Sequence, residues 1–357
     1  MNAPHAVARI DHSALAANME LLSGMFAPAQ TLLAVKADAY GHGMLACART
    51  GLAHGATSLG VLEVSSGLAL RDAGVSAPML AWLHGTGTPF REGVESDIEL
   101  GVSALWQLEA IAAAGASKPA RVHLKIDTGL HRGGANPDEW PALVSRALEL
   151  ERAGRLVVHG AWTHLADTSE EEDAASVRRF DEAVAEARAF GADIRVEHIA
   201  ASSAGIYLPD ARRDLVRLGL AAYGISPFHD RSGAELGLRP VMRVEAPVVA
   251  VDVAAGTAVL GLGFGDGFPC GAAGAGSVLI GDERHEVRSV DVDRTVVDVS
   301  GGSGAGGAVH EGDVAVVFGA GDDGEPTAED WSHWVHTVPD EIVTGLTARV
   351  PRVHESR

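Results

Sequence analysis

The sequence predicts an α/β protein, a (β/α)8 barrel of the TIM type joined to a second, mostly β domain. Three observations carry that prediction. Between about residues 12 and 230, eight short apolar runs alternate with segments of helical period. After "SPFHDRSGAE" (226–235) the texture changes to period-two alternation broken by Gly-rich turns. No GxGxxG follows the first run, which disfavours a doubly wound open sheet. The expected domains are 10–232 for the barrel and 233–357 for the β domain, with residues 1–9 able to join the latter.

The elements follow in order. The start, "MNAPHAVARIDHSAL", lacks the apolar core of a signal peptide, so a cytoplasmic protein is expected. The barrel strands are read in "TLLAVKAD" (31–38), "SLGVLE" (58–63), "PMLAWL" (78–83) and "DIELGV" (97–102). They continue in "RVHLKID" (121–127), "RLVVHGAWTH" (155–164), "IRVEHIA" (194–200) and "DLVRLGLAAYG" (214–224). Amphipathic stretches such as "WQLEAIAAAG" and "VRRFDEAVAEARAFG" lie between them, the latter closed by a Gly cap. The acidic run Glu170–Asp173 is expected to start a helix, where carboxylates suit the dipole. Further on, "VMRVEAPVVAVDV", "SVLIGDERHEVRSVDVDRTVVDVS" and "DVAVVFGA" read as half-buried strands. The Gly run "GGSGAGG" (301–307) reads as a loop, since no helix follows to make it a phosphate cradle.

Composition narrows the function. A net charge of −20 repels nucleic acid and anionic membranes, so neither is expected as a partner. No apolar stretch approaches the roughly 20 residues of a membrane span. Cys47 and Cys270 form no framework, which suits a reducing compartment. The histidines show no HExxH or comparable spacing, so no metal is expected. "DTG" occurs once, at 127–129, whereas an aspartic protease needs two such carboxylates.

In a (β/α)8 barrel the active site gathers at the C-terminal ends of the strands. Lys36 ends the first strand, Arg132 follows the fifth and His164 ends the sixth. Ser202 and Ser203 end the seventh, and Arg217 with Gly219 lie in the eighth. Alone, Lys36 reads equally well as a lysine paired with Asp38 or snorkelling from the strand end. As a set, the residues suit an anionic cofactor joined to a lysine. Schiff-base chemistry needs a free amine, and a cationic, partly apolar site lowers the lysine pKa. Ser202 and the amides of Gly219 and Leu220 stand at the usual phosphate position. Pyridoxal 5'-phosphate meets these requirements.

On these residues the chain resembles the alanine racemases over nearly its whole length. "AVKADAYGHG" (34–43) is similar to their lysine motif, supported by "LKIDTGLHRGG", "THLAD", "HIAASSAG", "LVRLGLAAYGISP", "GFGDGF" and "LTARVPRV". The resemblance implies a pyridoxal-phosphate enzyme, built as a barrel with a C-terminal β domain, that interconverts L- and D-alanine. It implies that Lys36 forms the internal aldimine and acts as one acid/base. Tyr40, Ser202, Gly219 and Leu220 would hold the phosphate, Arg217 would face the pyridine nitrogen, and His164 would pack against the ring. His198 would steady Arg217, Arg132 would help bind the substrate carboxylate, and Lys125 sits where the family often carries a carbamylated lysine. It also implies a head-to-tail homodimer whose partner completes each site.

The chain departs from the family pattern in the C-terminal half. Phe264 stands where the family has the tyrosine that is its second base, and a phenyl ring exchanges no proton. Val292 replaces a methionine near the substrate carboxylate, although Asp293 remains; Ala348 replaces a phosphate-binding tyrosine and Ala201 an asparagine. Three readings follow: a racemase in which water or another side chain replaces the tyrosine, a one-base enzyme acting on a D-amino acid, or a non-catalytic homologue that binds the cofactor. Asp266, in the same loop, is either a substitute base or a turn residue.

Overall fold

The computed structural model describes residues 5–301 and 308–356. All of "GGSGAGG" except Gly301 therefore lies outside the described residues. The chain forms two compact units, one of Met19–Lys36 and Gly51–Gly219, the other of Met1–Asn18, Ala37–Thr50 and Leu220–Arg357.

Strand β1 (Val7–Asp11) leads into a helix over His12–Phe26. Next come β2 (Gln30–Ala34), β3 (Ser58–Val61), β4 (Met79–Ala81), β5 (Ile98–Val102), β6 (Ala120–Lys125), β7 (Leu156–Trp162), β8 (Val196–His198) and β9 (Leu215–Leu218). Each of the eight apolar runs thus carries one strand of β2–β9. They form a single sheet in the order β8-β7-β6-β5-β4-β3-β2-β9, paired in parallel. Backbone hydrogen bonds close it between its ends: Arg217 N–H donates to Ala200 O (3.1 Å) and Asp214 N–H to Glu197 O (3.1 Å). The result is a closed parallel barrel.

Its interior is tightly filled. Leu32, Leu80 and Leu215 form a buried cluster with Trp82 and Val196 against it. A Cβ on Gly60 would lie 2.4 Å from Leu32 and 2.5 Å from Trp82, so the large rings fit because that position has no side chain. The acidic run begins the helix Glu170–Ala189, whose first turn is capped by Ser169 accepting from Glu172 N–H. Gly191, at φ 101°, follows its end as expected of a C-terminal cap.

The second unit is built on β10 (Met242–Asp252), β11 (Thr257–Leu260), β12 (Ser277–Ile280), β13 (Glu283–Val290), β14 (Thr295–Asp298), β15 (Val314–Phe318) and β16 (Arg352–Glu355). Their order is β11-β14-β13-β12-β15-β10-β1-β16, and β10 also pairs with β11. That extra pairing closes an antiparallel barrel, from which β1 and β16 extend. Buried and half-buried residues alternate along β10, the period that its sequence predicts.

One local expectation is overturned. The run read as a strand through Asp38 stops at Ala34, and Ala37, Asp38, Ala39 and Tyr40 take φ of 50°, 55°, 55° and 52°. These four residues make one left-handed turn, with Gly41 N–H donating to Ala37 O (2.9 Å). His42 braces it: Nδ1 is 2.9 Å from Ala39 O and 3.0 Å from Tyr40 O, so Nδ1 carries the hydrogen. The Asp38 carboxylate accepts from Met44 N–H (2.7 Å), at the start of the helix Met44–Ala53.

Candidate active site

Lys36 stands two residues beyond the end of β2, half-buried, in the barrel unit. Arg217, on the adjacent strand β9, is 6% exposed. Its Nη1 donates to His198 O (3.0 Å) and His198 Nδ1 (3.1 Å). Its Nη2 donates to Thr163 O (2.8 Å), Ile199 O (2.8 Å) and His164 Nδ1 (3.1 Å). The Asp214 carboxylate, on the residue just before β9, accepts from Glu197 N–H (2.8 Å). Burial lowers the Arg217 pKa to about 9, so at neutral pH it remains a cation. Its Nε–H makes no hydrogen bond among the described residues.

Burial, reinforced by that cation, keeps its histidine neighbours uncharged. Burial and the nearby Arg217, Arg132, Lys125 and Lys36 hold His164 well below the usual histidine value. Burial, with His123 and Arg217, does the same to His198. Both rings are therefore neutral acceptors toward the guanidinium. Trp162 stacks on His198 with centroids 5.4 Å apart and planes at 8°.

Lys125 lies at the end of β6, 8% exposed, with Nζ 4.7 Å from the Trp162 ring centroid and 3.5 Å from Arg132 O. Burial, then the Arg217 and Arg132 charges, lower its pKa to about 8. The Arg132 side chain is exposed. Ser202 opens a short helix, Ser202–Tyr207, and its Oγ accepts from Gly219 N–H at 3.2 Å. Ser203 donates to Asp167 (2.7 Å).

The remaining candidates belong to the other unit. Tyr40 is buried in the left-handed turn, with its ring 5.3 Å from that of Tyr223. Leu220 begins a 3-10 turn, Leu220–Tyr223. Phe264 and Val292 are 44% and 57% exposed, and Gly265 N–H donates to Val292 O (2.7 Å), which makes them neighbours. A cavity of about 320 Å³ is lined by Asp38, Thr344, Ala348 and Arg352, among others. Asp266 is a turn residue: its carboxylate accepts from Gly263 N–H (2.9 Å) and Arg349 Nε (2.8 Å) and is 4% exposed. Both its oxygens are committed, which argues against the substitute base.

Sequence reasoning missed Glu99, His123, Trp162 and Thr163. Period two along "RVHLK" places residues 121, 123 and 125 on one strand face, a signal that could have found His123 through Lys125. The donor set suits pyridoxal phosphate: a lysine at a strand end, and a buried guanidinium with one N–H left for an acceptor.

Residues 10–227 match the family "Alanine racemase, N-terminal domain", and residues 248–354 match "Alanine racemase, C-terminal domain". The alanine racemase of Beutenbergia cavernae is 42% identical over 97% of this chain and 96% of its own length. That of Streptomyces coelicolor is also 42% identical, over 97% of this chain and 95% of its own. Among solved structures, the alanine racemase of a D-cycloserine-producing Streptomyces lavendulae matches with a TM-score of 0.93 at 36% identity, covering 100% of this chain and 98% of that one. The chain belongs to the alanine racemase family, whose members are pyridoxal-phosphate-dependent amino-acid isomerases.

Proposed function

We propose that this chain racemises alanine with pyridoxal 5'-phosphate carried on Lys36, with Lys36 serving one face of Cα and water or another side chain serving the face where the family has its tyrosine. The observation that carries the reading is Arg217: a buried cation held by neutral acceptors, with its Nε–H unpaired, one strand away from Lys36. Tyr40, Ser202, Gly219 and Leu220 would hold the phosphate, Arg217 would face the pyridine nitrogen and His164 would lie against the ring. When bound, the cofactor withdraws electrons from the amino acid and makes its Cα–H acidic. Lys36 Nζ takes and returns that proton on one face. Arg217 keeps its own proton, because a guanidinium is a poor acid. Arg132, whose carbonyl accepts from Lys125 Nζ (3.5 Å), would receive the substrate carboxylate.

Phe264 gives the second reading its footing. A phenyl ring cannot serve the opposite face of Cα, so a one-base exchange on a D-amino acid follows unless water or another group substitutes. The two exposed apolar residues Phe264 and Val292 support a head-to-tail homodimer in which they are covered. Along the sequence we keep the barrel at 10–232 and the β domain at 233–357, joined by residues 1–9, while by contacts Met1–Asn18, Ala37–Thr50 and Leu220–Arg357 group together; we place the enzyme in the cytoplasm. No helix among the described residues is long and apolar enough to cross a membrane.

The test is solvent deuterium exchange at Cα of D- and L-alanine, followed by racemisation rates and a panel of amino acids. D-alanine should exchange much faster than L-alanine, with slow net racemisation. Fast, symmetric exchange would show that another group serves the second face. No exchange despite bound cofactor would leave the non-catalytic reading. Borohydride reduction should fix a pyridoxyl group on Lys36; an unmodified Lys36 in saturated protein sinks both enzyme readings.

A further inference from the structure

Inside the barrel unit a line of hydrogen bonds runs from Arg217 to Glu99, and the arginine dictates every donor in it. A guanidinium has donors only, so His198 Nδ1, 3.1 Å from Nη1, must accept. His198 then carries its hydrogen on Nε2, which faces His123 Nδ1 at 2.9 Å. That nitrogen accepts in turn, and the His123 hydrogen lies on Nε2, 2.8 Å from Glu99 Oε2. A second proton on either ring would set donor against donor. Both imidazoles are therefore neutral, and Glu99 ends the line as a carboxylate.

The surroundings fit such a line. His198 and His123 are 0% and 2% exposed. Trp162 fixes the plane of His198 by stacking. A Cβ on Gly160 would lie 2.4 Å from His123 Nδ1, so the ring fits because that strand position is bare. Arg121 Nε, 2.9 Å from Glu99 Oε1, anchors the far end. Burial pushes the Glu99 carboxyl up, but the His123 hydrogen bond and neighbouring charges outweigh it and hold it below its ordinary range.

His159 stands in the same corner, and ligand atoms of Glu99, His123 and His159 lie within 4.8 Å of one another. A divalent cation there would need the lone pair of His123 Nε2, which the line has already committed to N–H. Arg121 also occupies the other Glu99 oxygen. The line and the metal exclude each other, and the geometry favours the line.

We propose that Glu99 and His123 are positioning residues, which act through His198 to fix and polarise the acceptor that holds the Arg217 guanidinium. Hydrogen bonds in series polarise one another, so a carboxylate at one end strengthens the grip at the other. The consequence for function rests on the reading above, that Arg217 faces the cofactor nitrogen.

The full-length chain, labelled with 15N-histidine, is read by NMR first without cofactor. His198 and His123 should both appear as Nε2–H tautomers at neutral pH, and His198, whose pKa burial holds well below the ordinary value, should not gain a second proton there. His123→Leu should release the tautomer preference of His198. His123→Gln, which can accept from His198 and donate to Glu99, should restore it. With pyridoxal phosphate added, His123→Leu should bind it about tenfold more weakly with a shifted absorption band, while His123→Gln stays within about threefold of the parent. An Nδ1–H His198 or a doubly protonated His123 at neutral pH overturns the line, as does equimolar Zn²⁺ moving the His123 and His159 resonances. Unchanged cofactor affinity and absorption in His123→Leu overturn the positioning role. A parent chain that binds no pyridoxal phosphate sinks the cofactor reading, while the tautomers of the free protein still decide the line.

Discussion

One phenolic oxygen separates Phe264 from a side chain able to move a proton. Phe264→Tyr should therefore raise alanine racemisation by something on the order of 10²–10⁴-fold, measured as initial rates from each enantiomer. Unchanged rates would mean that the opposite face of Cα is already served. Lys36→Ala should abolish exchange in either background. Lys125 offers a separate test at this scale. With its pKa lowered to about 8, part of it is a free amine at neutral pH, able to take up carbon dioxide. Protein equilibrated with ¹³C-bicarbonate should show a carbamate resonance that Lys125→Arg lacks; a parent without that signal leaves Lys125 a plain amine. The residues most legible in the sequence were those set in dense motifs, such as Lys36 in "AVKADAYGHG" and Arg217 in "LVRLGLAAYG". Glu99 and His123 were not legible, because each is a single polar letter in an apolar strand. Only the barrel's closure makes them neighbours of what they serve.

At the scale of elements, the left-handed turn is the least readable feature. Glycine is the usual resident of positive φ, yet Ala37–Tyr40 contain none, and Asp38 alone is of a type that visits that region, so propensity gives little sign of the turn. A left-handed conformation costs an L-residue roughly 1–2 kcal/mol, and tertiary contacts must hold it. Two such contacts are the His42 ring on the carbonyls of Ala39 and Tyr40 and the Asp38 carboxylate on Met44 N–H. Asp38→Ala should destabilise the protein by about 1 kcal/mol, the usual value of a helix-start cap, seen as a lower urea midpoint. No change in midpoint would show that the carboxylate is dispensable. The barrel strands, by contrast, were legible one by one, since each apolar run is too short for a helix and bounded by turn residues. Their ends were not: the first strand stops before Lys36 because the chain reverses its handedness there.

For the whole molecule, buried neutral histidines set the acid limit. Burial lowers both His42 and His84 to about 4, against an ordinary 6.5. Below about pH 6.5 the unfolded chain binds protons that the folded one refuses, so stability is full above that value and is lost as pH falls toward 4. Each such group contributes up to about 3 kcal/mol across that window. His42 shows why: its Nε2 is buried without a partner, so a second proton there would have no acceptor. The melting temperature should fall steeply between pH 6.5 and 4, and less steeply in His84→Leu if that variant folds; a flat profile in the parent would contradict it.

The cations Lys36, Lys125, Arg132 and Arg217 all belong to the barrel unit of a chain whose net charge is −20. Capture of a phosphate-bearing cofactor is thus a contest between two fields. At long range the acidic surface slows the approach of an anion. Within a Debye length, about 8 Å at physiological ionic strength, only the local cations count. Added salt screens the long-range repulsion first, so the bimolecular association rate of pyridoxal phosphate should rise with salt at low ionic strength, then fall as the cations are screened in turn. A protein that looks wrongly charged for its ligand would gate its uptake by ionic strength.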